Sequence, residues 1–302
     1  VYDYLSYFDA IIKFLTFNGW VPGSTLFGMP WDWRQSQCWP PTLERMRDSI
    51  LETKKASGRN ITLISHSMGS LVVKCFLTAY PDVFEANVER WISIAAPFQG
   101  AGAKILTEFL QGYNLGNVVL ADEDAKCFSL ESPAVYELLP SQDFAWEQPP
   151  FIALTLNGSA QSFDCQGAPA TADGRYDEAI RRALRAHAFS PPGAPSPVPQ
   201  PFNDACWNLS LATRVRLASA RLPASARFLY VYGVAQPTPV GLRFANLSHY
   251  RDLQTAKYTT PLGGARRPGG GGPCGPGGAG GGGGGPPRRG ARRPGPPAPP
   301  GP

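Results

Sequence analysis

The chain has 302 residues, with 28 Lys+Arg against 23 Asp+Glu, a formal net charge of +5, 33 Gly and 32 Pro. Residues 261–302 hold 18 of those Gly, 12 of the Pro, six Arg and no acid, which leaves residues 1–260 at −1 and removes any electrostatic case for nucleic acid or an anionic surface. The body is long enough for one large core or two modest ones, no charge-free apolar run is long enough for a membrane-spanning helix, and the Gly/Pro/Arg tail buries too little apolar surface to order itself.

Tyr4 to Asn18 reads as a helix, with Leu5, Phe8, Ile12 and Leu15 along one face, stopped by Asn18-Gly19. Thr25 to Gly28 reads as a short strand, followed by the polar-aromatic stretch Trp31-Asp32-Trp33-Arg34. A second amphipathic helix runs from Thr42 to Ala56, with Leu43, Met46 and Ile50 inward and Gly58 as its stop. The apolar strand Ile61–Ile64, a helix from Gly69 to Tyr80 closed by Pro81, and the strand Trp91–Ala95 follow. This order predicts an α/β architecture with a doubly wound, mostly parallel sheet covered on both faces. From residue 98 to 227 the alternation fades into helical pieces and long loops, as an inserted cap would. Within it, Tyr176 to His187 is a short basic amphipathic helix and residues 190–201 are a Pro-rich linker. Phe228 to Gly233 reads as a return to the sheet, so 1–97 and 228–260 are assigned to the core.

Position 1 is Val, with no apolar segment after a basic start, so the chain is expected to be a fragment or processed product, with any targeting signal outside it. Cys38, Cys75, Cys127, Cys165, Cys206 and Cys274 are widely spaced, which suggests neither a zinc site nor a disulfide mini-scaffold. Sequons at Asn60, Asn157, Asn208 and Asn246 are patterns that also occur by chance, and the compartment stays open.

The chemistry concentrates at Ser65-His66-Ser67-Met68-Gly69, between a strand and a helix. A serine hydroxyl is a weak nucleophile that must be exposed, oriented and deprotonated. A strand–turn–helix elbow does the first two by forcing the serine onto a strained turn at the top of the sheet. Small residues are needed two positions before and after it, and Ser65 and Gly69 make S-x-S-x-G a variant of G-x-S-x-G. Ser67 is the expected nucleophile. The N–H of Met68, at the opening of the next helix, is an expected oxyanion donor. The alternative is a Ser-rich turn in some other α/β protein.

Beyond the elbow, Phe27-Gly28, Asp32-Trp33-Arg34-Gln35-Ser36, Ile64 to Gly69 and Ala96-Pro97-Phe98-Gln99-Gly100 together resemble the lecithin–cholesterol acyltransferase family. So do Ser132 to Leu139, Phe202-Asn203-Asp204-Ala205, Tyr232-Gly233-Val234 and Pro237-Thr238-Pro239, in the same order. The resemblance is to its plant-type branch, with its phospholipase A enzymes and, more distantly, phospholipid:diacylglycerol acyltransferases. It implies an α/β-hydrolase fold with a membrane-facing cap and no metal or diffusible cofactor. It also implies a fatty acyl group taken from a phospholipid onto Ser67 and passed to water, a sterol or a glyceride.

Such an enzyme needs an Asp and then a His after the serine. The family carries the Asp in a Gly-Asp-Gly-Thr-Val segment, close to where Lys257-Tyr258-Thr259-Thr260 gives way to the tail, and no Asp or His follows Asp252. The triad Asp and His are therefore expected to be missing and the chain as written inactive. His66 reads as structural, His187 as solvated or packing, and His249 with Asp252 stand in reversed order for a triad. The tail reads as a GC-rich stretch translated in a wrong frame or through an intron, or else as a basic disordered tail touching anionic lipid.

Three further features carry paired readings. Trp31 to Arg34 could line an acyl or head-group site, or Asp32 and Arg34 could brace the loop with the tryptophans as packing. Phe109-Leu110 and Phe144-Ala145-Trp146 could meet a lipid aggregate, with the protein peripheral to a membrane, or form the core of the cap. Arg181, Arg182 and Arg185 read as a solvated face. A hydrolase-fold relative without catalysis, binding lipid or acting as a scaffold, is the rival reading of the whole.

Overall fold

The computed structural model describes residues 8–112, 122–156, 159–165, 176–186, 188–189, 198–199, 202–233, 239–244 and 257–259. His187, His249, Asp252, most of 190–201 and the whole of 261–302 lie outside them. In chain order the elements are α1 (Asp9–Phe17), α2 (Pro40–Ser57), β1 (Ile61–His66), α3 (Gly69–Ala79), α4 (Pro81–Asn87), β2 (Val88–Ile94), α5 (Ala103–Gln111), α6 (Asp122–Leu130) and α7 (Pro133–Glu137). Then follow β3 (Phe151–Leu156), β4 (Ser159–Asp164), α8 (Tyr176–Ala186), β5 (Ala188–Phe189), β6 (Val198–Pro199), α9 (Asp204–Ser219), β7 (Arg227–Val231), β8 (Gly241–Phe244) and β9 (Lys257–Thr259). The protein is a mixed α/β structure.

Local chemistry explains the helix ends. Pro40 and Pro41 open α2 where their missing N–H groups cost nothing, and Gly58 closes it in the left-handed conformation, its N–H donating to Lys54 O at 2.9 Å. Lys54 and Lys55 stand in the last turn, where the helix dipole favours cations. Asn203 caps α9, its side chain accepting from the Cys206 N–H.

Strands β1, β2 and β7 form a parallel sheet in that order. The register puts Leu63, Trp91 and Phe228 in one row and Ser65, Ser93 and Tyr230 in the next. This face meets α2 and α3 in a core that includes Leu43, Met46, Ile50, Leu71, Phe76, Phe84 and Trp91. Each such burial is worth about 1.5–3 kcal/mol. On the opposite face Ile64 is 44% exposed and Leu229 is 52% exposed, while Ile92 and Ile94 are half-buried.

A second core gathers α5, α7, α8 and the start of α9 around Phe109, Tyr136, Phe202 and Trp207. It rests on the sheet β4-β3-β8-β9, in which β3 pairs antiparallel with β4 and parallel with β8. Residues 98–227 thus contain a β-hairpin as well as helices. Residues 228–260 divide between two sheets, β7 in the first and β8 and β9 in the second. Leu138 packs against both cores, and α9 contributes Trp207 to one and Leu217 to the other.

Two expectations need correction. No strand forms at 25–28: the N–H groups of Thr25 and Leu26 turn back to Val21 O at 2.8 and 3.0 Å, leaving only an isolated bridge from Pro22 to Leu26. The apolar stripe of α1 meets no core, since the helix has no buried residue and Phe17 is 90% exposed.

A disulfide joins Cys38, just before α2, to Cys75 on α3, across 37 residues of sequence. Closing a loop of that length in the unfolded chain is worth about 4 kcal/mol. Replacing both by Ser is therefore expected to lower the urea-unfolding free energy by about that amount, with a larger m-value because the unfolded chain expands without the bridge. A loss below about 1 kcal/mol would show that the packing around α3 holds without the bridge.

Candidate active site

Strand β1 ends at His66 and α3 begins at Gly69, so Ser67 and Met68 alone reverse the chain. Ser67 takes φ +50, a conformation that non-glycine residues adopt only when their surroundings impose it. The Ser67 N–H donates to Ile94 O at 2.8 Å, which ties the turn to the end of β2. Met68 is already helical at φ −57, ψ −28. Among the described residues the Ser67 hydroxyl has no hydrogen-bond partner, and neither do the N–H groups of Met68 and Gly69. A hydroxyl without a partner among the described residues thus stands beside open N–H donors at a helix start.

Beneath the turn lies a chain of buried hydroxyls. Trp91 Nε1–H donates to Ser65 Oγ at 2.8 Å, Ser65 and Ser70 are linked Oγ to Oγ at 2.8 Å, and Ser93 Oγ donates to Ser70 Oγ at 3.0 Å. This explains serine rather than glycine two positions before Ser67. The side chain is small enough for the turn, and its oxygen accepts from an indole N–H that would otherwise be buried unpaired, at about 1–3 kcal/mol.

The segment after β2 frames the same end of the sheet. Ala95, at φ +51, donates its N–H to Val231 O at 2.7 Å, and Tyr230 Oη donates to Ala96 O at 2.9 Å. At Gly100, φ is +95, and a Cβ would stand 2.5 Å from Leu139 O, so only glycine lets this segment pass the end of α7.

The stretch 31–38 is held from three sides. Arg34 grips Asp32 through two side-chain bonds of 2.7 Å, which hold the Asp32 carboxyl below its ordinary value. Trp33 packs on Phe128 at 5.1 Å between ring centroids. These contacts fit the bracing reading of the stretch. Glu137, buried on α7, then accepts from Ser36 Oγ at 2.5 Å, from the Gln37 N–H at 2.8 Å and from Thr213 Oγ1 at 2.8 Å. Its carboxyl joins the stretch, α7 and α9 at the seam of the two cores. Burial raises its pKa, against the opposing pull of those three donors and the Arg214 charge.

Other sequence-marked residues fall elsewhere. His66 meets the ring of Phe8 edge-on at 6.3 Å and makes no bond to Ser67, and burial lowers its pKa. Phe109 and Leu110 are fully buried in the interior of the second core, and the partly buried Trp146 packs against it. Arg181 corrects the solvated-face reading: it stacks over Phe202 at 4.2 Å and pairs with Asp204. Among the described residues no group of three or more His, Cys, Asp or Glu could hold a metal ion.

Residues 3–162 match the family model described as Lecithin:cholesterol acyltransferase. The chain belongs to the lecithin:cholesterol acyltransferase family. It is 33% identical over 267 residues to Lecithin-cholesterol acyltransferase-like 4 of Arabidopsis thaliana, covering 84% of this chain and 49% of that protein. It is 32% identical over 265 residues to Phospholipase A(1) LCAT3 of Arabidopsis thaliana, covering 84% and 58%. To Lysosomal phospholipase A and acyltransferase of Homo sapiens it is 26% identical, over 52% and 40% of the two chains. The chain spans about half the length of the curated relatives it matches.

Within this lecithin:cholesterol acyltransferase-family chain, the sequence reading missed the Cys38–Cys75 bridge, the Glu137 clamp and the Arg181–Asp204 pair. Only α9 left a usable signal, in the capping Asn203 followed by Asp204 in the first turn. The Glu137 clamp makes a pH-dependent prediction. Its folded pKa is raised above the ordinary 4.5, so its ionisation costs stability progressively as pH rises from 4.5 through the folded value. Glu137→Gln removes that titration and sets an NH₂ donor among donors, costing about 1–3 kcal/mol at low pH. The stability difference between native and variant, from urea unfolding between about pH 4 and 8, should shrink as pH rises and then level off. A difference that stays flat would refute the raised value.

Proposed function

We propose that Ser67 is the nucleophile of a lipid acyl-ester enzyme with an α/β-hydrolase core and a cap. The observation that carries this reading is the left-handed Ser67 between a parallel strand and a helix N-terminus. Membership of a family whose relatives are named as phospholipases and acyltransferases supports the substrate class. In the mechanism, Ser67 Oγ attacks the ester carbonyl of a phospholipid acyl chain and its proton passes to a base. The N–H of Met68 takes the developing oxyanion, aided by the α3 dipole. The base returns the proton to the departing oxygen as the ester C–O bond breaks and the lysophospholipid leaves. The acyl-serine is then attacked by water, a sterol or a glyceride, whose proton goes to the same base, according to how far the site excludes water. The protein would work peripherally at a membrane or lipid aggregate. Among the described residues no helix is long and apolar enough to cross a membrane.

The base and its orienting acid are the weak point of this chain. Ser67 has no His or acid against its hydroxyl among the described residues, and no Asp or His follows Asp252. Loss of the base in a serine site costs about 10⁴–10⁶ in kcat. The absence of a His or acid against Ser67 among the described residues favours a second reading, a lipid-binding or scaffolding relative with little or no turnover.

Two measurements separate the readings. A longer form carrying an Asp and a His downstream should react with a fluorophosphonate and lose that labelling on Ser67→Ala, and full labelling of the variant would sink the nucleophile assignment. The 302-residue chain should release fatty acid from phospholipid vesicles at background rate. Release abolished by Ser67→Ala would instead reveal a base within it, whereas vesicle binding unchanged by that substitution would support the non-catalytic reading.

A further inference from the structure

The Cys38–Cys75 bridge is buried at both ends, at 7% and 0% exposure. Disulfides form and persist in oxidising compartments and are rare where glutathione keeps thiols reduced. Cys165 and Cys206, outside the bridge, are buried. Burial pushes both toward the neutral form, Cys165 up to about 12, so neither is a ready partner for thiol–disulfide exchange. A shielded bridge of this kind suits an oxidising lumen.

In a eukaryotic secretory lumen, Asn-x-Ser/Thr sequons meet the oligosaccharide-transfer machinery. Of the four sequons, those at Asn157 and Asn246 lie outside the described residues. Asn208 sits in the middle of α9 and faces a groove lined by Arg181 and Asp204, while its sequon hydroxyl, Ser210 Oγ, is buried and donates to Trp207 O at 2.7 Å. Asn60 stands differently. It is exposed in the turn between the left-handed Gly58 and β1, its Oδ1 accepts from the half-buried Lys54 Nζ at 2.6 Å, and its Nδ2 has no partner among the described residues. Thr62 supplies the sequon hydroxyl. Strand β1 (Ile61–His66) runs between Asn60 and the elbow, so about 20 Å of strand separates a glycan on Asn60 from Ser67. A bulky substituent there leaves the candidate active site open.

We propose that Asn60 is an N-glycosylation site and that the chain folds in an oxidising secretory lumen. Asn60 Nδ2 attacks the anomeric carbon of a polyprenyl-pyrophosphate-linked oligosaccharide. The N–C bond forms, the C–O bond to pyrophosphate breaks, the amide gives one proton to a base, and polyprenyl pyrophosphate leaves with the electron pair. In the same lumen Cys38 and Cys75 pass two protons and two electrons to a disulfide carrier, whose own disulfide becomes a dithiol.

The test uses the full chain isolated from the cells that make it, lysed in a thiol-alkylating reagent and mapped by mass spectrometry with and without peptide N-glycosidase. The expected result is a glycopeptide at Asn60 and a linked peptide pair at Cys38 and Cys75. Asn60→Gln should remove one step in electrophoretic mobility, and Thr62→Ala, which keeps Asn60 but breaks the sequon, should remove the same step. Asn208→Gln should remove none. An Asn60 peptide found wholly unmodified, or a glycan at Asn208 in its place, overturns the site. Alkylated free thiols at Cys38 and Cys75 overturn folding in the lumen.

Discussion

The backbone of Ser67 is held at φ +50 against its own preference, and much of the surrounding structure supplies what holds it there. The strain costs about 1–3 kcal/mol for a residue with a Cβ. It is offset by the bond from its N–H to Ile94 O, by the α3 helix that starts two residues later, and by the hydroxyl chain Trp91–Ser65–Ser70–Ser93 that fills the space beneath. Each of these rests on the parallel pairing of β1 with β2, which sets Ser65 opposite Ser93 and leaves Ser67 at the edge. The result is a hydroxyl presented at the strand ends rather than consumed by a neighbour.

The second organising device is the seam between the two cores. Loop 31–38 is bound to the elbow helix by Cys38–Cys75 and to α7 and α9 by Glu137, whose partner Ser36 lies 101 residues away in sequence. Gly100 lets the segment after β2 run against Leu139 on the same side. A covalent bond, a buried carboxylate with three donors and a backbone contact that tolerates no Cβ thus fix one unit of packing on the other. Buried carboxylates of this kind specify geometry more than they add stability, because desolvation takes back most of what the hydrogen bonds contribute.

What the residues disclosed and what they hid divides along sequence distance. Helix α2 was legible from Leu43, Met46 and Ile50 at helical spacing with Gly58 behind them, and α3 from its position after an apolar strand. Helix α1 shows the limit of the same signal: its apolar stripe is real, yet it meets no core, because periodicity reports which face is apolar and not whether anything covers it. The stretch at 25–28 had strand-like residues, but Val21 O captured their N–H groups within the turn. The sheet of β3, β4, β8 and β9 was hidden because its parallel pair joins strands distant in the chain and its residues carry no period of their own.

The sequence alone determined where the elbow lies, since a strand, Ser65-His66-Ser67-Met68-Gly69 and a helix are consecutive, while the φ of Ser67 is held by the paired strand β2. It also determined the family, through ordered motifs spread over most of the body. Only the tertiary structure decided that Ser65 serves Trp91, that Arg181 pairs with Asp204 instead of facing water, that Cys38 reaches Cys75, and that Glu137 closes the seam. Those are contacts between residues brought together by chain reversal, and no local pattern encodes which distant partner a side chain meets.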